Sequence, residues 1–120
     1  MSYTVVHFEI PADDPDALGE FYNKLFGWKI ETTPMDYWLI ETAPEGEGIG
    51  GGMFKRTEPS QRPMNYIGVD SVDDFVKKVE EFGGKVAVPK QEVPNTGYMA
   101  IVLDPDGNPF GLWQDLEQTG

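Results

Sequence analysis

One order of predicted elements, strand–helix–strand–strand–strand, occurs twice along this chain of 120 residues. In each copy, apolar residues recur at helical spacing and the run ends at a Phe-Gly pair. The matching pieces are Phe26-Gly27 with Phe82-Gly83, Pro44-Glu45-Gly46 with Pro105-Asp106-Gly107, and Gly52-Met53-Phe54 with Gly111-Leu112-Trp113. Two runs with the same order and the same turn residues indicate a duplicated structural unit. The sequence therefore predicts an α+β fold of two βαβββ modules.

The stretch 57–63 separates the two copies. It contains Pro59 and Pro63 and shows no hydrophobic period, so we interpret it as a linker. A single domain, 1–120, is then expected, with module one at about 1–56 and module two at about 64–116. Asp13 or Asp14 is expected to cap the first helix, and Ser71 the second.

Charge and composition exclude several classes of function. The net charge is −12, and such an acidic surface repels the phosphates of nucleic acids and anionic lipids. No apolar run approaches the roughly 20 residues that span a bilayer. The chain has no cysteine, which excludes disulfides, thiolate nucleophiles and cysteine zinc sites. These observations predict a cytoplasmic protein without a nucleic-acid or membrane partner.

Two stretches carry a resemblance to a known family. Glu20-Phe21-Tyr22 through Phe26-Gly27-Trp28, and Asp104 through Trp113, resemble the vicinal oxygen chelate superfamily of lactoylglutathione lyase, extradiol dioxygenases and bleomycin-resistance proteins. The chain is most similar to the lactoylglutathione-lyase-related branch, whose members mostly lack an assigned reaction. The resemblance implies curled mixed sheets around a cleft, with the helices on the outer faces, and a homodimer.

The same resemblance implies where metal ligands belong, on the first and last strand of each module. In this chain those positions hold His7 and Gly52 in module one and Tyr66 and Gly111 in module two. Only His7 is a typical ligand of divalent metals, because glycine has no side chain and tyrosine is an uncommon ligand. We therefore expect no usual metal site and no cofactor. The alternative is a divalent metal held by His7, Glu9 and a third group.

Strand alternation predicts the groups that face the cleft. His7 and Glu9 lie two apart and so share one face of the first strand, a pairing that suits general-base chemistry. Asn65 or Gln114 adds a further polar group. The candidate ligand-binding residues are Trp38, Phe54, Tyr66, Tyr98 and Trp113, with the faces of Trp38 and Tyr98 left open. The alternative for these aromatic residues is an ordinary place in the core or in a dimer interface.

Three functions remain open on these grounds. The first is binding of a small hydrophobic or aromatic molecule in a cleft that lacks the usual metal. The second is a lyase, isomerase or epimerase that uses His7 and Glu9, with or without a divalent metal. The third is an interaction module whose cleft is filled by side chains. Whether the chain is an enzyme is not decided by its sequence.

Overall fold

The computed structural model of the chain describes residues 2–44 and 46–116, which form two compact units. The elements of module one are β1 (Val5–Ala12), α1 (Pro15–Phe26), β2 (Lys29–Thr32), β3 (Tyr37–Glu41) and β4 (Gly51–Lys55). Those of module two are β5 (Met64–Gly68), α2 (Val72–Glu81), β6 (Lys85–Val93), β7 (Gly97–Leu103) and β8 (Pro109–Asp115). Both modules thus have the order βαβββ, which confirms the α+β fold class.

The strands of module one lie side by side in the order β2-β3-β4-β1. Strands β1 and β4 are parallel, and the other two pairs are antiparallel. Gly52 lies opposite Glu9 on one side and opposite Leu39 on the other. Because side chains alternate along each strand, residues at these paired positions share the face that points away from α1.

The other face of module one packs against α1. Met53, Ile40 and Ala12 are fully buried there, and Gly19 of the helix lies directly against the side chain of Ile30. The helix begins where the sequence predicts, since the Asp14 carboxylate accepts a hydrogen bond from the Ala17 N–H at 3.2 Å. Gly27 ends it with φ +76°, a left-handed conformation that favours glycine.

The apolar stripe of α1 is wider than the face it buries. Leu18 packs against the core, but Phe21, Leu25 and Phe26 are each more than half exposed. Tyr22 and Trp28 stack next to them with ring centroids 5.1 Å apart. The sequence pattern identified the helix correctly, and it overstated how much of the helix the module itself covers.

Module two repeats this arrangement with the strand order β5-β8-β7-β6 and one parallel pair, β5 with β8. Its core is a cluster of small and branched residues beneath α2: Val69, Val72, Ala100, Val102 and Leu112. Ser71 caps α2 as expected, accepting from the Asp74 N–H at 3.1 Å, and Gly83 follows the helix with φ +96°. Among the described residues, no helix is long and apolar enough to cross a bilayer.

One strand of module two is longer than its sequence indicates. The pattern predicts a strand over 85–88, whereas β6 continues to Val93 through Pro89. The register with β7 shifts between Val86 and Val88, and again between Val88 and Gln91. Such irregularities accommodate a proline, which has no N–H to give to the ladder.

Candidate functional site

A chain of two hydrogen bonds joins the two predicted catalytic residues through a third residue. His7 Nε2 lies 2.8 Å from the Tyr37 hydroxyl, and that hydroxyl donates to Glu9 Oε2 at 2.9 Å. His7 and Glu9 come from β1 and Tyr37 from the start of β3, two strands away in the same sheet. The structure therefore brings His7 and Glu9 together as one polar group, which we call the His7–Tyr37–Glu9 relay.

The direction of these bonds determines where the protons lie. Because the Tyr37 hydroxyl gives its proton to Glu9, its oxygen accepts the Nε2 proton of His7. Neutral His7 then carries its proton on Nε2, and Nδ1 is its basic nitrogen.

Burial also affects the protonation of His7. The side chain is partly buried, and removal from water lowers the pKa of His7 below its ordinary value of 6.5. The imidazole is consequently neutral at physiological pH. A neutral imidazole is the form that can accept a proton as a general base.

A glycine makes room for Tyr37. A β-carbon built on Gly52 would overlap the Tyr37 hydroxyl and the ring atoms next to it. Only a residue without a side chain at this position lets the phenol reach across β4 to His7 and Glu9. Sequence reasoning missed Tyr37. The available signal was a glycine inside a predicted strand, which often marks the close approach of another group.

Module two has the same feature at the equivalent position. A β-carbon on Gly111 would overlap the ring of Tyr66, which is only 4% exposed. Gly111 and Tyr66 are direct partners in the parallel pair of β5 and β8. In both modules, then, a tyrosine ring occupies the space that a side chain on the last strand would fill.

The residues of module one do not fit a divalent metal ion of the kind the family resemblance implies. The Tyr37 ring fills the space that a ligand side chain at position 52 would need. Its hydroxyl is hydrogen-bonded to both His7 and Glu9. A catalytic site usually needs three or four protein ligands with an open position. Across the described residues, no group of three or more His, Cys, Asp or Glu side chains is placed to hold an ion.

An open pocket of about 530 Å³ lies in module one beside His7. Its walls come from β2, β3 and the glycine-rich segment that leads into β4. Leu39 and Ile49 present aliphatic surface there, and they are 46% and 37% exposed. Lys29, Glu31 and Glu41 supply charge at the same pocket. Its volume lies in the range of small-molecule sites.

The predicted ligand-binding aromatic residues fall on two different faces. Phe54 pairs with Tyr37, so it shares the face of the relay. Tyr66 and Trp113 lie on the corresponding face of module two, where the Trp113 indole donates to Asp115 at 2.7 Å. None of these three residues lines the pocket beside His7.

The structure assigns the two aromatic residues whose faces the sequence left open. Trp38 pairs with Met53 and packs into the core beneath α1. Tyr98 pairs with Gln114 and packs against the core beneath α2. Both therefore lie on the helix-facing side, opposite to the face of Phe54 or Trp113. Their role in ligand binding is not supported by this placement.

Gln114 and Asn65 are the two polar residues of module two predicted to face the cleft. Gln114 is buried, and its side-chain oxygen accepts from the Val72 N–H at 2.8 Å, where α2 begins. It therefore satisfies the first turn of a helix, and the expectation that it faces the cleft is wrong. Asn65 is exposed and immediately precedes Tyr66 in β5, so strand alternation places it on the face opposite to Tyr66, and the expectation that it faces the cleft is wrong as well.

The sequence of this chain is similar to a known protein family and to several curated proteins. The model of the Glyoxalase/Bleomycin resistance protein/Dioxygenase superfamily matches residues 4–112. Putative glyoxylase CFP32 of Mycobacterium tuberculosis is 31% identical over 119 residues, which is 93% of this chain and 46% of that protein. The anthracycline biosynthesis protein DnrV of Streptomyces peucetius is 26% identical over 124 residues, which is 89% of this chain and 45% of DnrV. The chain thus spans about half the length of these relatives.

Solved structures agree on the fold. Methylmalonyl-CoA epimerase from Mycobacterium tuberculosis superimposes with a TM-score of 0.69 over 92% of this chain and 87% of that one, at 12% identity. At that identity the likeness concerns the fold alone. The family match extends over most of both βαβββ modules and agrees with the resemblance of the sequence. The chain therefore belongs to the Glyoxalase/Bleomycin resistance protein/Dioxygenase superfamily.

Proposed function

We propose that module one binds a small organic molecule in the pocket beside His7. The observation that carries this proposal is the pocket itself, about 530 Å³ in volume and open, with His7 among the residues of its wall. Sites of this kind combine apolar walls with a few placed polar groups. Here Leu39 and Ile49 provide the apolar surface and His7 the polar group.

The pocket walls favour a partly apolar ligand that need not be aromatic. The large apolar side chains that line it are aliphatic, and Phe54 lies outside it. Lys29 and the glutamates at 31 and 41 place charges of both signs at its edge. A compound with an aliphatic or cyclic body and polar substituents satisfies these walls better than a flat hydrocarbon.

A fragment panel of neutral, acidic and basic compounds tests the proposal by protein-observed NMR. Binders should shift the imidazole signals of His7 and the amide signals of Leu39 and Ile49. Leu39→Glu should abolish the shifts, because it puts a charge in the apolar wall. Phe82→Glu, at a phenylalanine that is 76% exposed where α2 ends, is the control and should leave them unchanged. Compounds that bind equally well to both variants would refute this location for the ligand.

A second candidate function, proton transfer, is favoured by the His7–Tyr37–Glu9 relay. In a carbonyl compound, the C–H bond next to the carbonyl breaks, His7 Nδ1 takes the proton, and the electron pair moves to the oxygen as an enolate. A proton returned to the other face gives the epimer, and one returned to the oxygen gives the enol. A well-placed general base contributes roughly 10²–10⁴-fold to such a step.

Deuterium uptake from D₂O separates this candidate from simple binding. The probes are pyruvate, 2-oxobutyrate and dihydroxyacetone, followed by proton NMR. The protein should accelerate exchange at the carbon next to the carbonyl, and both His7→Gln and Tyr37→Phe should reduce it by roughly 10². Phe82→Glu, at the exposed end of α2, should exchange at the full rate. Exchange that survives both relay substitutions would remove the relay from the mechanism.

The exposed aromatic side of α1 supports the homodimer that the family resemblance implies. Phe21, Leu25 and Phe26 form a contiguous apolar surface with Tyr22 on one helix. Surfaces of this kind commonly mark contact with another protein, and we propose a second copy of this chain as the partner. Light scattering should give twice the mass of 13.4 kDa, and Phe26→Glu should shift the protein to the monomer. A monomeric wild type would contradict the proposal.

A further inference from the structure

The two tyrosine–glycine pairs are built from different strands. In module one, Tyr37 of β3 covers Gly52 across an antiparallel pair, whereas in module two Tyr66 of β5 covers Gly111 across a parallel pair. Each ring lies where the side chain of the last strand would project. Both modules therefore share a tyrosine ring above the glycine of the last strand. The strand that supplies the tyrosine differs between them.

We infer that the Tyr37 phenol replaces the missing side chain at position 52, and that it turns His7 and Glu9 into a proton relay that excludes a divalent metal ion. The ring occupies the volume above Gly52, and its hydroxyl bonds to His7 on one side and to Glu9 on the other. Tyr37 is thus a positioning residue, because it fixes the proton of His7 on Nε2.

The alternative, that Tyr37 moves aside and an ion enters, fails on the number of ligands. Departure of the ring gives up both hydrogen bonds of the relay. It then exposes Gly52, which has no donor atom to offer in its side chain. Among the described residues of module one, His7 and Glu9 are then the two candidate ligands at this place, which is fewer than the three or four protein ligands that a catalytic metal site usually has. Movement of the Tyr37 ring would therefore break two hydrogen bonds and leave a metal site with too few ligands.

The single histidine of the chain makes the inference directly testable. Total metal uptake is a poor measure here, because 21 acidic residues bind cations weakly over the whole surface. In protein labelled with ¹⁵N-histidine, the imidazole signals come from His7 alone. We expect the Nε2-protonated tautomer, unchanged when excess Zn²⁺ is added. A stoichiometric shift of these signals by Zn²⁺ in the wild type would overturn the inference.

Two variants separate the filling of space from the relay. Tyr37→Phe keeps the ring above Gly52 and removes only the hydroxyl, so it should still exclude Zn²⁺ while the preference for the Nε2 tautomer is lost. Tyr37→Ala/Gly52→Glu clears the ring and supplies a third ligand, so its His7 signals should shift at one equivalent of Zn²⁺. A folded double variant whose signals ignore Zn²⁺ would show that the ring is not what excludes the ion.

The outcome does not depend on the ligand of the pocket. If the double variant fails to fold, as judged by circular dichroism, the wild-type titration still tests the exclusion of Zn²⁺, and Tyr37→Phe still tests the relay through the tautomer of His7. A wild type that excludes Zn²⁺ but binds no compound would refute the proposed function and leave the relay intact. A wild type that binds compounds and also coordinates Zn²⁺ through His7 would do the reverse.

Discussion

Gly111→Ala should destabilise the protein through a specific collision with Tyr66. The added methyl group would overlap three atoms of the Tyr66 ring, which is almost fully buried. The two residues are backbone partners in a parallel strand pair, so neither strand can withdraw without breaking ladder hydrogen bonds. Overpacking of this kind costs about 1–3 kcal/mol of the free energy of unfolding. For a chain of this size, each kcal/mol lowers the melting temperature by roughly 4 °C.

A double-mutant cycle with Tyr66→Ala measures this collision by urea denaturation. Tyr66→Ala alone removes a buried ring and should cost about 3–5 kcal/mol, so the cycle is run with a stabilising osmolyte present in all samples. In that background the methyl group at position 111 has space. The cost of Gly111→Ala should then fall by at least about 1 kcal/mol, which is a coupling energy typical of residues in contact.

Gly107→Ala is the matched control for the cycle. Nothing lies within 4 Å of the added methyl group, and its cost comes from the positive φ of +88° at a turn. That cost should be equal with and without the Tyr66 ring. The explanation by collision is wrong if Gly111→Ala costs less than about 0.5 kcal/mol. It is also wrong if the cost of Gly111→Ala is the same in both backgrounds.

Three further predictions concern the core, a helix cap and pH. Met53→Ala should cost about 2–5 kcal/mol in urea denaturation, because Met53 is fully buried beneath α1; a loss below 1 kcal/mol would contradict this packing. Asp14→Ala removes the N-cap of α1 and should cost about 1 kcal/mol, whereas Asp16→Ala, at an exposed position in the same turn, serves as the comparison. Burial lowers the pKa of His7 below 6.5, so the unfolded chain binds its proton at a higher pH than the folded chain does. The contribution of neutral His7 to stability is therefore complete above pH 6.5 and is lost as the pH falls from there through the lowered pKa. The urea midpoint of the wild type should fall over this pH range, and that of His7→Gln should not show this fall. Identical pH profiles for the two proteins would contradict the prediction.

Local signals in the sequence were sufficient for the helices and for the order of elements. Asp14, Ser71 and Gly27 act through contacts with residues that are near in the chain, so their roles are visible in the sequence. The extent of β6 was underestimated because the penalty of Pro89 inside a strand is relieved by an irregular register, and that relief depends on β7.

The faces of the aromatic residues could not be predicted in the same way. Tyr37 and Trp38 are adjacent in β3, so the aromatic pattern shows no alternation and gives no face to either one. The register against β4 decides between them, since it sets Tyr37 opposite Phe54 and Trp38 opposite Met53. A shift of one residue would exchange the two faces. That register is a property of strand pairing and lies outside any single stretch of sequence.

Position 52 of module one, where the family resemblance implies a metal ligand, holds a glycine that the Tyr37 ring covers. A side chain at position 52 and the Tyr37 phenol exclude each other, because they compete for the same volume. With a ligand at 52, His7 would have no phenol to fix its tautomer. With glycine at 52, the phenol reaches His7 and Glu9, and the pair becomes suited to moving a proton. Under the proposals made here, we therefore expect residues 52 and 37 together to decide between the two kinds of chemistry, since both kinds require His7.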